Sequence, residues 1–556
     1  MDWSQNDNHS LNPKGNLLSD YPDGSLRSVG DISINEGKAF SQNASADVLY
    51  SQKISDFTTR IKLQYVYESN QWDNLYTYGS NLAVSGLNIT SLSQADPVTR
   101  DYGSDGGEVV AQNVATLGYL DYKGKYIFDG LVRKDGVSLF GANQRWQTYY
   151  RLSGAWRVTE DFKIPGIQEL KLRASYGTAG LRPDFAAQYE TYDLIAGTIG
   201  AGQHLGNKNL RPAYSKELEL GIDADFLKIF TLSATYAKRK NIDQIFEVPI
   251  SVAATGFPKQ WQNVGEFTSN SIELSLNAKL ISNKDFTWNA NVTWDKLEQK
   301  IGKLNVNPFM IGGFFWIREG EKYGNIYSSA HATSLEDVKS SPEILPGQDV
   351  SDVFVINNEG YVVRKTEIGT SQEKKMFKLN PDGTTNTNVL LGNMNPDFNM
   401  NLMNSFTYKN LSFYFLTSWQ QGGDIYNNTW VYMSFAGKNS ANLDQTGRPY
   451  NEKKPLPYFY ETRARGYYVE KTTFLKLREV SLQYSFTNKA LQKARLGFVQ
   501  QIDVGIIGRN LLTLTKYSGP DPETRTLDGS GTYLGTDTPK YPAGGATLSG
   551  SINITF

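Results

Sequence analysis

Apolar and polar residues alternate with period two along most of this chain, as in strands that turn one face to an oily environment and the other to water. Ile272, Leu274, Leu276, Ala278 and Leu280 fall on one face, and Ser271, Glu273, Ser275, Asn277 and Lys279 on the other. Phe286, Trp288, Ala290, Val292 and Trp294 alternate in the same way with Thr287, Asn289, Asn291, Thr293 and Asp295. The pattern predicts fifteen strands, near 45–53, 58–70, 110–122, 125–137, 146–157, 168–178, 214–225, 229–241, 268–281, 286–299, 398–409, 411–421, 473–485, 500–511 and 545–556.

Alternation alone also fits a water-soluble sandwich. Connection lengths separate the two readings. Short links at Asp56-Phe57, Lys123-Gly124, Phe226 to Lys228, Ser282 to Asp285 and Lys409-Asn410, with moderate ones at 158–167 and 486–499, alternate with longer ones. The longer links span about 71–109, 138–145, 179–213, 242–267, 300–397, 422–472 and 512–544. Outer-membrane barrels keep periplasmic turns short and extracellular loops long, so one parity of links faces the cell exterior. The segment GSINITF ends the chain with Leu548, Ile552, Ile554 and Phe556 on one face, as a barrel-closing strand that shows apolar residues to lipid requires. Any half-buried terminal strand would read alike. The expected fold is all-β, a transmembrane antiparallel up-and-down β-barrel.

Composition narrows the picture further. Apolar residues make up 39% of 556, mean hydropathy is -0.45, and no apolar run is long enough for a membrane helix. Aromatics nonetheless reach 13%, which suits the girdles of a membrane barrel. Fifty-six basic against 57 acidic residues leave no basic footprint for nucleic acid. The absence of Cys excludes disulfides, thiolate metal sites and Cys nucleophiles. The opening MDWSQNDNHS has neither the basic nor the apolar region of a signal peptide, so either the protein is not exported or its start lies upstream.

Several ordered segments resemble one family, the SusC/RagA-type TonB-linked outer-membrane transporters. They are YIFDGLVRKDGVSLFGANQRW from Tyr126 to Trp146, SGAWRVTEDF, LKLRASYGTAG, NKNLRPAYSKELELGIDADF, FPKQWQNVGEFTSNSIELSLNAKLI, GNMNPDFNMNLMNSFTYKNLSFYF, TTFLKLREVSLQYSF and GRNLLTLTKYSGPDPE. The resemblance implies a plugged barrel of about 22 strands, capped by a SusD-type surface lipoprotein and driven by the TonB complex. Its cargo would be an oligomeric nutrient, a glycan or a peptide. On that reading residues 1–44 are an extracellular loop or N-terminal remnant and 45–556 the C-terminal barrel strands. The plug, the TonB-contacting part and about seven strands would precede Met1. A passive porin or a structural barrel of an envelope assembly is the alternative.

Candidate chemistry is sparse. His9, His204 and His331 fall outside the expected strands and lack the spacing of a zinc motif. Asp521 and Glu523 could serve as glycosidase carboxylates, but Pro520 and Pro522 place them in a stiff turn, and no nucleophile elbow, phosphate loop or dinucleotide fingerprint occurs. No catalytic site, metal or cofactor is expected. Loop aromatics Phe314, Phe315, Trp316, Tyr426, Trp430 and Tyr432 suit stacking on sugar rings or peptide side chains, and packing of the loops among themselves accounts for them equally.

The resemblance also aligns KLNPDGTTNTNV with an EF-hand-like loop of the family. Here Lys378 occupies the first ligand position and Val389 the twelfth, where a bidentate Glu is needed. A cation beside the remaining oxygens of Asn380 and Asp382 repels calcium. Calorimetric titration of the full-length protein is expected to show no calcium uptake by this loop; micromolar binding abolished by Asp382→Ala would contradict it.

Overall fold

The computed structural model describes residues 2–12, 30–82, 91–183, 187–195, 198–313, 315–435, 445–450, 453–454, 458, 465–493, 496–524, 536–537 and 544–556. Its main sheet holds sixteen strands hydrogen-bonded in chain order, an antiparallel meander. They are β1 (Asp2–Asn12), β2 (Asp31–Ile54), β3 (Phe57–Ser80), β4 (Asp101–Tyr122), β5 (Tyr126–Val137), β6 (Trp146–Arg157), β7 (Ile167–Leu181) and β8 (Ala213–Phe226). There follow β9 (Phe230–Pro249), β10 (Lys259–Ser282), β11 (Phe286–Leu304), β12 (Pro396–Tyr408), β13 (Leu411–Gly422), β14 (Phe474–Thr487), β15 (Gln501–Thr515) and β16 (Thr547–Thr555). No ladder joins β1 to β16 among the described residues.

All fifteen expected strands are present, as β2 to β16. The stretch 1–44 departs from the expected loop: β1 lies within it, and β2 begins at Asp31 rather than near 45. The reason is register. β1 pairs with β2 from Asp2↔Ser41 to Asn12↔Asp31, so a neighbouring ladder holds it although DWSQNDNHSLN lacks an alternating apolar face. Two histidines expected in loops also sit in strands, His9 in β1 and His204 in the strand Thr198–His204.

The chain divides into two compact units, Met1–Ser153 with Gly177–Ser215 and Asp243–Asn263, and Gly154–Tyr176 with Lys216–Ile242 and Val264–Phe556. In the first, β2 and β3 pair without a break from Ile54↔Phe57 to Asp31↔Ser80. At 24 residues each they extend about 80 Å, whereas about 9–11 residues suffice to cross a bilayer. The far end is closed by a small core of Ile32, Leu82 and Ala95. Alternation with an apolar face is strongest only over the half nearest the turn, where Ile61, Leu63 and Tyr65 stand exposed on β3.

In the second unit the apolar faces are continuous from strand to strand. Trp294 pairs with Met400, Met400 with Trp419, Trp419 with Leu475 and Leu475 with Leu514, so one row of large apolar side chains crosses five strands. Leu548, Ile552, Ile554 and Phe556 extend this face onto β16 and its terminus, with Leu548 77% and Phe556 72% exposed. A soluble domain rarely leaves a contiguous patch of this kind to water. At the short-link end the two-residue turn Lys409-Asn410 joins β12 to β13, and Lys409 takes the left-handed backbone (φ 53°) that such hairpins use.

The exception on the apolar face explains itself. Asn404 pairs with Ala290 and so points to the apolar side, yet it is buried. The Trp288 indole lies over it and donates its Nε1–H to the Asn404 carbonyl oxygen at 2.9 Å, while stacking on Phe406 at 5.5 Å. Trp288→Phe keeps the stacking and removes the donor. It is expected to cost about 1–3 kcal/mol in urea unfolding of the full-length protein in micelles, and Asn404→Leu in the same background should recover most of that loss.

Candidate functional site

The polar face of β8 to β11 forms a groove of about 590 Å³ in the second unit. Glu217, Arg239, Ser271, Glu273, Asp295 and Gln299 line it, with further hydroxyls from Ser233, Thr235, Ser269, Ser275 and Thr293. Each is the alternate residue of a strand whose other face is apolar, so the period that builds the sheet also builds the groove. Arg239 pairs with Glu217 at 2.5 Å. Next to it Arg173 bonds Glu219 and Thr235, and Asp223 receives Ser233 at 2.8 Å. Gly221 makes this possible, because a Cβ there would strike the Arg173 guanidinium. Asn277 and Asn291 bond at 2.6 Å, and Ser418, Asn401 and Thr293 form a chain at 2.6 and 3.2 Å. A surface of paired charges, amides and hydroxyls holds water and hydrogen-bonds hydrophilic solutes without a strong preference for either sign of charge.

At the long-link end lies the aromatic cluster. Short strands Phe309–Ile311, Phe315–Ile317, Asn325–Ser328 and Val389–Asn393 form a separate four-stranded sheet. Phe315 is buried against Ile326, Met394, Tyr426 and Tyr468, with Trp430 packed on the same cluster. Tyr426 and Trp430 meet the Tyr468 ring edge-on at 6.2 and 5.4 Å. Phe315, Tyr426 and Trp430 are therefore brought together in one cluster, the last two on the Tyr468 ring. Trp316 points to the other side of its strand, half-buried, with the Arg318 guanidinium 4.2 Å from its ring. Its Nε1 is buried and meets no acceptor in the described protein. Phe314 lies outside the described residues, as does the side chain of Tyr432.

The helix Asn428–Phe435 that carries Trp430 starts on Asn427, whose Oδ1 accepts the Trp430 N–H at 2.8 Å. The fully buried Asn427 amide in turn donates to Glu470 and Ser518 at 2.8 and 3.0 Å. This polar anchor, absent from the sequence reading, is what fixes the cluster.

A second lobe of the same long connection has its own core of Ala332, Val338, Phe354 and Val362. Beside it Lys375 is buried with its Nζ 4.3 Å from the Tyr361 ring and 4.4 Å from that of Tyr458. Burial pushes Lys375 down to about 8, against the pull of Glu359 and Glu373. The buried Glu373 accepts from Asn357 at 2.8 Å and pairs with Lys454. Burial raises its pKa, and these hydrogen bonds more than offset that, so it sits below the usual carboxylate range.

The remaining candidates are occupied by structural roles. Asp521 and Glu523 grip the buried Lys476 of β14 at 2.7 and 2.5 Å, and Glu523 also bonds Arg478. That arrangement neutralises the pair and pins the loop to the sheet. Desolvation raises Glu523, but Arg478 and Lys476 hold it below its ordinary value. His204 bonds Glu247 at 2.5 Å and Thr191 at 3.1 Å, and His331 stacks on Phe377. In the EF-hand-like loop Asp382 accepts from Thr384 N and Oγ1 at 2.9 and 2.6 Å, while Lys378 reaches Asp337 at 3.2 Å. Among the described residues no three His, Asp or Glu side chains converge as metal ligands do.

The family described as TonB dependent receptor-like, beta-barrel, matches residues 2–363. TonB-dependent receptor P3 of Formosa agariphila is 28% identical over 470 residues, which cover 78% of this chain and 44% of that protein. TonB-dependent receptor SusC of Bacteroides thetaiotaomicron is 26% identical over 464 residues, 77% of this chain and 42% of that protein. The chain spans about half the length of the curated relatives it matches. Among solved structures, one of the RagAB peptide transporter superposes with a TM-score of 0.74 at 19% identity, covering 100% of this chain and 59% of that one. With the meander, the apolar outer row and the polar groove, these matches give one conclusion: the chain belongs to the TonB-dependent receptor-like β-barrel family and is an outer-membrane protein.

Proposed function

We propose that this chain is the barrel portion of a TonB-dependent importer of an oligomeric nutrient, a glycan or a peptide, that works with a SusD-type lipoprotein lid. The observation that carries the reading is the division of β8 to β11 between an apolar face and a hydrophilic groove. Solute passing the groove meets hydroxyls, amides and balanced ion pairs such as Arg239 with Glu217, which hydrogen-bond sugars and peptide backbones alike. The energy for opening comes from the proton gradient through TonB, which engages a part of the protein outside this chain.

The loop aromatics divide by role on this reading. Phe315, Tyr426 and Trp430 form the packed base of the extracellular loops, and Trp316 supplies the ligand contact. Its ring carries Arg318 on one side and is only partly buried, which leaves aromatic surface for stacking on a sugar ring or a peptide side chain. Phe314 and Tyr432 join it in the proposed contact surface. In a strain that depends on the transporter, Trp316→Ala is expected to slow growth on the substrate by roughly fivefold to thirtyfold in apparent affinity (about 1–2 kcal/mol), with normal surface expression. Growth identical to the parent would remove the ligand role of Trp316. Uptake that survives collapse of the proton gradient would favour a passive pore instead.

A further inference from the structure

We infer that the outer face of β13, β14 and β15 carries a binding site for a phosphate-bearing lipid of the bilayer's outer leaflet. A concavity of about 640 Å³ opens there, away from the polar groove. Trp419, Leu475 and Leu514 form its floor, three neighbours of the apolar row that crosses five strands. Lys471 and Lys516 form its rim on the side of the long extracellular loops, with Thr473 between strand and loop.

The position selects the ligand. The floor continues the apolar belt that faces acyl chains, and Trp419 belongs to an aromatic group with Phe398 at 5.0 Å, which in turn lies 6.2 Å from Trp294. Aromatic residues of this kind mark the level where hydrocarbon meets headgroups. Directly beyond that level two ammonium groups border one concavity whose floor is oily. A soluble anion gains nothing from the floor, and a neutral lipid gains nothing from the rim. A lipid with acyl chains along Trp419, Leu475 and Leu514 and a phosphate between the lysines uses both.

Lys471 Nζ lies 2.8 Å from Asp424 Oδ1, yet its side chain is 68% exposed, and an ammonium has three donors. Lys516 is exposed at the end of β15. Lysines at headgroup depth also occur simply because their stems follow apolar surface to water; the concavity bordered by both cations distinguishes a selective site from that general tendency.

The test uses the full-length transporter in mild detergent and native mass spectrometry, with dioleoyl phosphatidic acid against dioleoylglycerol, which has the same chains and no phosphate. The phosphatidic acid is expected to be retained about 25-fold more tightly, about fivefold for each lysine. Lys516→Gln, at an exposed position, should lower that preference about fivefold, and Lys471→Gln with Lys516→Gln should abolish it. Trp419→Ala should weaken both lipids alike. Equal retention of the two lipids by the parent protein, or a preference unchanged in Lys516→Gln and in the double variant, would overturn the proposal. Displacement of the bound lipid by millimolar inorganic phosphate would also overturn it, because the cations would then be recognising a free anion.

Discussion

Lateral backbone hydrogen bonding is the constraint on which everything else in this chain depends. In hydrocarbon no water is available to satisfy an N–H or C=O, so each strand must find both partners in its neighbours. A meander in chain order does this with the least search, since each strand pairs with the one made just before it. Side chains are then left free to differ on the two faces, and the sequence uses that freedom almost without exception. Where it deviates, as at Asn404, the polar group is covered by an aromatic ring that also supplies its hydrogen bond.

The same economy governs charge. Inside the sheet Arg173, Arg239 and the facing carboxylates are matched, so the polar side carries many ionic groups and little net field. Lys476 shows the stricter case. It is almost fully buried, and two carboxylates from a loop more than forty residues away are needed to hold it. Breaking such a set leaves a charge without a partner in a poorly hydrated place, so its value lies in fixing the loop geometry more than in net stability.

How much of this was legible follows from the range of the interactions. The period-two faces of β2 to β16 are local, and the strands could be read directly. β1 could not, because its residues bear no apolar face and only its ladder with β2 defines it. The distal halves of β2 and β3 escaped for a related reason, being less regularly apolar where they run beyond the thickness of a bilayer. The aromatic loop residues stood out by type, yet which of them face one another depends on contacts across more than a hundred residues, such as Phe315 with Tyr426. The carboxylates Asp521 and Glu523 looked available until Lys476 was placed beside them. Lysine on the inward side of a strand was the one clue to that pairing in the sequence.

The lobe built on Ala332, Val338, Phe354 and Val362 has a hydrophobic centre of its own rather than borrowing one from the sheet. An insertion that folds around its own nucleus behaves as an interchangeable cassette. Its sequence can drift, lengthen or be replaced without disturbing the register of β11 and β12, which it connects. Evolution can therefore retune what the outer end of such a protein meets while leaving the membrane-embedded wall untouched.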